Sequence, residues 1–208
     1  MKKKLLGSLL LSSYLLAGSY DNGIEFYKAM KYEKAMNSFL TATNNEDNKA
    51  MLVIGIMYAN GDGVKKDPLK SLEWFKKSAN AGNIHAYSKL GNIYASGINV
   101  KQNYEEAHKW FTKAAEAGVA KAAYNLGYFY TGGLGVKMNL ETSLFWYEKA
   151  AIGGSIDAQL NLGFMYIGGQ GTSVDYKKAA YWIKKAKSTG NEKAELMWKE
   201  FKLKDYEK

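Results

Sequence analysis

One interval governs this chain. Gly55, Gly91, Gly127 and Gly163 stand 36 residues apart, and the same step relates Tyr58, Tyr94, Tyr130 and Tyr166, and Trp74, Trp110, Trp146 and Trp182. Ala50, Ala86, Ala122, Ala158 and Ala194 follow it too, as do Gly61, Gly97, Gly133 and Gly169, and Gly82, Gly118, Gly154 and Gly190. Six registers held in phase mean one supersecondary unit copied along the chain. Such a unit cannot bury its apolar face alone and must stack on its neighbours. A stacked repeat array is therefore expected, with no stretch of these 208 residues left over for a second domain.

Each unit, at 48–82, 83–118, 119–154 and 155–190, reads as two helices. The first runs from the alanine to just past the tyrosine, with Ala50, Ile54 and Tyr58 four apart on one face. The glycine beside them, Gly55 in the first unit, lets the partner helix approach closely. A glycine-bearing turn follows, Gly61-Asp62-Gly63-Val64 in the first unit and Gly133-Leu134-Gly135-Val136 in the third. The second helix opens at Asp67, Asn103, Asn139 or Asp175, side chains suited to cap exposed N–H groups, and Pro68 sits where its missing donor costs nothing. Asn103 with Glu106 has the spacing of a capping box. The tryptophan lies on this second helix, followed four and five positions on by Ser78-Ala79, Ala114-Ala115, Ala150-Ala151 or Ala186-Lys187, and Gly82, Gly118, Gly154 and Gly190 end it as left-handed caps. Gly23, Tyr32, Ala35, Phe39 and Ala42 mark a degenerate unit over 20–47. Ala194, Leu196, Met197 and Phe201 mark a capping helix within 192–208.

Composition narrows the chemistry. The 208 residues contain no cysteine, which removes disulfides, thiolate metal sites and cysteine nucleophiles. The formal charge of +9 comes from lysine alone, without one arginine. Forked base and phosphate recognition relies mainly on arginine, and the lysines are spread rather than clustered, so nucleic acid is not expected as a partner. The opening Met1-Lys2-Lys3-Lys4, the 12-residue apolar run Leu5 to Leu16 and the small Ala17-Gly18-Ser19 together read as a secretory signal over 1–19. That run is shorter than a bilayer-spanning helix requires, so no permanent membrane anchor is expected. Ser19 stands where a lipoprotein would carry its lipidated cysteine.

The pattern Ala-x-x-x-Leu-Gly-x-x-Tyr-x-x-Gly-x-Gly-Val, followed by Trp-Tyr/Phe-x-Lys-Ala-Ala-x-x-Gly, resembles the Sel-one-like repeat, a relative of the tetratricopeptide repeat. Ala122 to Gly154 matches it most closely, and the resemblance covers 48–191. Asn99 departs from it by replacing the second turn glycine of the second unit, and Thr172 by replacing a valine in the fourth. The resemblance implies an all-α, right-handed α-solenoid of helix-turn-helix repeats, about eleven helices in a tetratricopeptide-like superhelix. It further implies a scaffold or adaptor that binds a protein or peptide; with the secretory signal, this scaffold is expected in the periplasm or the exterior, with an envelope or host protein as its partner. A monomer is expected. By the same resemblance the first helices line the concave face, which places Leu52, Ile56, Ser88, Asn92, Tyr124, Tyr128, Leu160 and Phe164 in a partner-binding groove. Lys121 and Lys193 would add positive charge nearby and favour an acidic partner.

Other candidate sites carry less. Gly132-Gly133-Leu134-Gly135 and Gly168-Gly169-Gln170-Gly171-Thr172 lack the lysine-serine/threonine ending of a phosphate loop, and the turn recurs in every unit. The tryptophan ladder reads as core. His85 and His108 have no partner at metal-ligand spacing, and Glu105-Glu106 suits a helix start, so neither a metal nor a cofactor is expected. Cysteine-rich relatives of the repeat are known as penicillin-binding or β-lactamase-like, which keeps a hydrolase as the alternative. No serine here is followed three residues later by lysine, and neither Ser-Asp-Asn nor Lys-Thr-Gly occurs.

Overall fold

The computed structural model describes residues 20–207; the expected export signal over 1–19 lies outside them. Among the described residues the regular structure is helical throughout. It comprises α1 (residues 20–28), α2 (Tyr32–Thr43), α3 (Asn48–Asn60), α4 (Pro68–Asn80), α5 (Ile84–Ser96), α6 (Tyr104–Glu116), α7 (Ala120–Gly132), α8 (Leu140–Ile152), α9 (Ile156–Gly168), α10 (Tyr176–Lys187) and α11 (Glu192–Glu200), then a short 3-10 turn, Leu203–Tyr206. No described helix is long and apolar enough to cross a membrane. The chain divides into two compact units. The first ends at Leu90 and takes in Ile98–Val100; the second comprises Gly91–Gly97 and the chain from Lys101 onwards.

In the first unit α2, α3 and α4 pack in succession. Ala35, Phe39, Ala42, Ala50, Ile54 and Met57 form its core, with Tyr20, Ile24 and Tyr27 of α1 laid against it. The Tyr27 hydroxyl donates to Asp62 Oδ2 at 2.6 Å, tying α1 to the first turn. In the second unit α6 to α11 pack in the same serial manner. Phe111, Leu126, Phe129, Tyr147, Leu162 and Ile183 are buried there.

Local chemistry sets these boundaries. Asp67, Asn103, Asn139 and Asp175 each accept, through Oδ1, the backbone N–H three residues on, at 2.9–3.0 Å. Their own N–H groups donate to the carbonyls of Tyr58, Tyr94, Tyr130 and Tyr166 at 2.9–3.0 Å. The tyrosine register thus holds the end of every turn. Consequently the expected capping box of Asn103 and Glu106 forms only by half. The Asn103 N–H is already taken by Tyr94, and the Glu106 carboxylate accepts from Lys109 at 2.7 Å instead. At the far end of each second helix Gly82, Gly118, Gly154 and Gly190 adopt φ of +80° to +89°. Paired bonds such as Ser155 N–H to the Ala150 carbonyl and Gly154 N–H to the Ala151 carbonyl close the helix there. Asn99, the departure from the turn pattern, sits at φ +64° where its three counterparts are glycine.

The close approach within a pair is set by the glycine of the first helix. A Cβ on Gly55 would lie 2.7 Å from Phe75 Cδ1, one on Gly91 2.5 Å from Phe111 Cδ1, one on Gly127 2.6 Å from Tyr147 Cδ1 and one on Gly163 2.3 Å from Ile183 Cδ1. The seat opposite the glycine therefore belongs to the residue after each tryptophan. Of the ladder itself only Trp182 is buried; Trp74, Trp110 and Trp146 keep part of their surface in solvent. Lysine ammonium groups cover the rings, Lys77 at 4.2 Å from the Trp74 centroid, Lys113 at 4.7 Å from Trp110, Lys149 at 5.1 Å from Trp146 and Lys185 at 5.2 Å from Trp182. The expectation of a wholly internal ladder is corrected on this point: about 100° separates adjacent helix positions, so a residue and its successor cannot both face the glycine.

Candidate functional site

The groove residues expected from sequence divide by exposure. In the first unit Leu52, Ile56 and Ser88 are partly buried, and the Ser88 hydroxyl oxygen is out of contact with solvent. In the second unit Asn92 is exposed, Tyr128 is 55% exposed and Phe164 54%. Tyr124 is partly buried, its ring 5.6 Å from that of Tyr147. Leu160 is a correction: at 6% exposure it belongs to the interior and offers a partner nothing. Tyr128 and Phe164 occupy the same register on α7 and α9, one position after the glycine, with Leu126 and Phe129 or Leu162 and Met165 buried around them. These two rings are thus presented to solvent by helices whose neighbouring side chains are fixed in the core. Lys121 and Lys193 are exposed.

Asn92 and Tyr128 also border a recess of about 300 Å³ in the second unit, lined besides by Ala95, Phe111, Asn125 and Phe129 among others. Its floor is an aromatic cluster, Phe129 standing edge-on to Phe111 and to Tyr104 with centroids 5.6 Å apart in each case. Sequence reasoning missed Asn125. The available signal was its place immediately before the Leu126-Gly127 pair, repeated at Asn161.

The titratable groups have structural partners. Burial lowers the His108 pKa, and its Nε2 lies 3.1 Å from the Tyr130 hydroxyl. Burial, then the hydrogen bond at 2.5 Å to Glu148, raises the Tyr166 pKa; burial likewise raises that of Tyr147. Hydrogen bonds from Lys199 and Lys187 hold the Glu195 carboxyl below its ordinary range. Among the described residues no group of three or more His, Asp or Glu side chains is placed to hold a metal ion.

The model of the Sel1 repeat matches residues 48–83, 84–119, 120–155 and 156–191. A crystal structure of a Sel1 repeat protein from Oxalobacter formigenes is 35% identical, with a TM-score of 0.80 over 85% of this chain and 73% of that one. The chain belongs to the Sel1 repeat family. A second similar structure is c5321, a protective antigen of uropathogenic Escherichia coli displaying the SLR fold, at 32% identity and a TM-score of 0.81; the match covers 86% of this chain and only 39% of that one. Pseudomonas aeruginosa PilF, 14% identical over 93% of this chain and 87% of its own with a TM-score of 0.60, shares the fold alone. No curated protein sequence matches. Sel1 repeat proteins are protein-interaction scaffolds, and this chain is an all-α helical-repeat protein of that family. Nothing in these similarities supports the hydrolase alternative.

Proposed function

We propose that this Sel1 repeat chain is an exported scaffold that takes a protein or peptide partner of the cell envelope, or outside the cell, against the exposed aromatics of its first helices. The observation that carries this reading is the matched exposure of Tyr128 and Phe164, each residue more than half exposed at the same register of successive repeats. Large aromatics held on capped helices lose little conformational freedom on binding, and such residues recur as the anchors of protein interfaces. The exposed Lys121 and Lys193, on a chain of formal charge +9, favour an acidic partner. The similarity to a chain described as a protective antigen is consistent with export.

The experiment is to isolate a partner from an envelope fraction with the wild-type protein, then measure its affinity for Tyr128→Ala/Phe164→Ala and for Lys77→Ala by calorimetry. The double variant should keep its helical circular dichroism and bind at least about tenfold more weakly, while Lys77→Ala binds normally. Equal affinity per folded molecule, together with a loss of stability in the double variant, would return both rings to the core and overturn the assignment. Export is tested separately by the N-terminus of the protein recovered from periplasm or medium. It should start at Tyr20, and an intact Met1 start confined to the cytosol would refute it.

A further inference from the structure

The second helices of the second unit carry a surface that partner capture by the first helices does not use. On α8, Phe145 and Lys149 each stand two positions, about 200° of helical turn, from Tyr147, the residue seated against Gly127. On α10, Tyr181 and Lys185 stand in the same way about Ile183, seated against Gly163. All four are exposed and turned away from the first helices, and the 36-residue step sets the two pairs at equal register. Each ammonium lies over the ring four positions before it, Lys149 at 4.7 Å from the Phe145 centroid and Lys185 at 4.6 Å from that of Tyr181. Ile152, which ends α8, is 75% exposed. The charge here is largely of one sign. α10 holds five lysines and no acidic residue. Lys178 pairs with Asp175 at 3.9 Å, Lys184 with Glu207 at 2.9 Å and Lys187 with Glu195 at 3.2 Å, but Lys149, Lys177 and Lys185 have no carboxylate partner among the described residues. On α8 the Glu148 carboxylate already accepts from the Tyr166 hydroxyl, and Glu141 lies about two turns before Lys149.

We infer that this side of α8 and α10 docks on an anionic phospholipid bilayer, with the ammonium groups of Lys149 and Lys185 at the lipid phosphates and Phe145, Tyr181 and Ile152 entering the headgroup layer. Charge complementarity selects an anionic occupant, since unpaired lysines held near a negative leaflet each add to the attraction. The apolar side chains between them select lipid over a soluble polyanion, which needs cations alone and would leave the two rings and Ile152 in water. A lysine stem laid over an aromatic ring is suited to such an interface, because the apolar part sinks while the charge stays at the phosphates. No described helix is long and apolar enough to cross a membrane, so the attachment is lateral and reversible. It leaves α7 and α9 on the far side of each helix pair, where Tyr128 and Phe164 remain open to a protein.

The chain has no cysteine, so one introduced thiol carrying an environment-sensitive nitrobenzoxadiazole dye reports a single position of the full chain. Labelled Ile152→Cys should gain fluorescence saturably with vesicles of phosphatidylglycerol and phosphatidylcholine in equal parts at about 0.1 M salt, and should not respond to phosphatidylcholine alone. Labelled Tyr128→Cys should respond to neither. In the Ile152→Cys background, Lys149→Glu/Lys185→Glu should weaken partitioning at least about tenfold and Phe145→Ser/Tyr181→Ser at least about fivefold, with helical circular dichroism unchanged. The two pairs are independent, so either one that keeps the fold decides the matter. No response at 152, an equal response at 128, undiminished partitioning of a folded double variant, or binding of poly-glutamate as tight as that of vesicles at equal charge would overturn the inference. None of these results bears on partner capture by Tyr128 and Phe164, which is measured on the partner itself.

Discussion

Replacing Gly127 by alanine sets two known effects against each other. In an unconstrained helix interior the change stabilises by about 1 kcal/mol, because alanine surrenders less backbone entropy. Here the new Cβ would sit 2.6 Å from Tyr147 Cδ1, 2.7 Å from Cε1 and 2.8 Å from Cγ. Carbon atoms rest about 3.5–4.0 Å apart, so relief requires α7 and α8 to part by roughly 1 Å. Cγ is the fixed root of the ring, so rotating the ring cannot clear the contact. Overpacking of this kind costs about 1–3 kcal/mol, which outweighs the propensity gain and leaves the variant about 1 kcal/mol less stable. Gly132, in the same helix, is the control, since its added Cβ would meet nothing nearer than Leu134 Cγ at 3.4 Å. Gly132→Ala should be neutral or stabilising. Placing Gly127→Ala in a Tyr147→Ala background should reverse its sign, because the methyl then enters a cavity. Urea denaturation followed by circular dichroism reads the wild type, the three single variants and the double variant. If Gly127→Ala stabilises as much as Gly132→Ala, or keeps its sign without the Tyr147 ring, the glycine does not set the approach of the helices.

Gly154→Ala should cost about 1–2 kcal/mol through backbone strain alone, since φ is +88° and nothing lies within 4 Å of the added Cβ; Gly154→Asn should recover most of it in the same denaturation assay. Asn139→Ala removes the acceptor for Thr142 N–H at 2.9 Å and should lower stability by about 1 kcal/mol. Tyr27 should make the first unit alkali-sensitive. Burial and the Asp62 hydrogen bond push its pKa from 10.0 up to about 12, so the folded state favours the protonated phenol. That contribution is complete below pH 10 and is lost as the pH rises from 10 through 12. Unfolding midpoints of wild type and Tyr27→Phe measured from pH 8 to 12 should therefore differ by an amount that shrinks across this window. A constant difference would refute the linkage.

Most of the fold was legible because it is written in residues with few conformational options. Glycine at a left-handed cap, asparagine or aspartate at a helix start and the single Pro68 each permit little else, and the 36-residue step multiplied every such signal. Side-chain direction was harder. Trp110 is conspicuous in sequence, yet Phe111 takes the seat against Gly91, and no period separates two adjacent positions that repeat equally well. The groove was read by register, which cannot tell Tyr124 from Leu160, because exposure there depends on what packs over each repeat.

Four aromatics of nearly equal exposure allow the binding face to be tested directly. Tyr128 and Phe164 lie on first helices at 55% and 54%, Phe145 and Tyr181 on second helices at 48% and 53%. A photoreactive phenylalanine analogue placed at each position in turn, with the affinity-purified partner present and the yield of cross-linked product quantified, removes exposure as a variable. Partner binding through the first helices predicts strong cross-linking from 128 and 164 and little from 145 and 181. Cross-linking from 145 and 181, with none from 128 and 164, would contradict it and move the partner to the lysine-covered second helices.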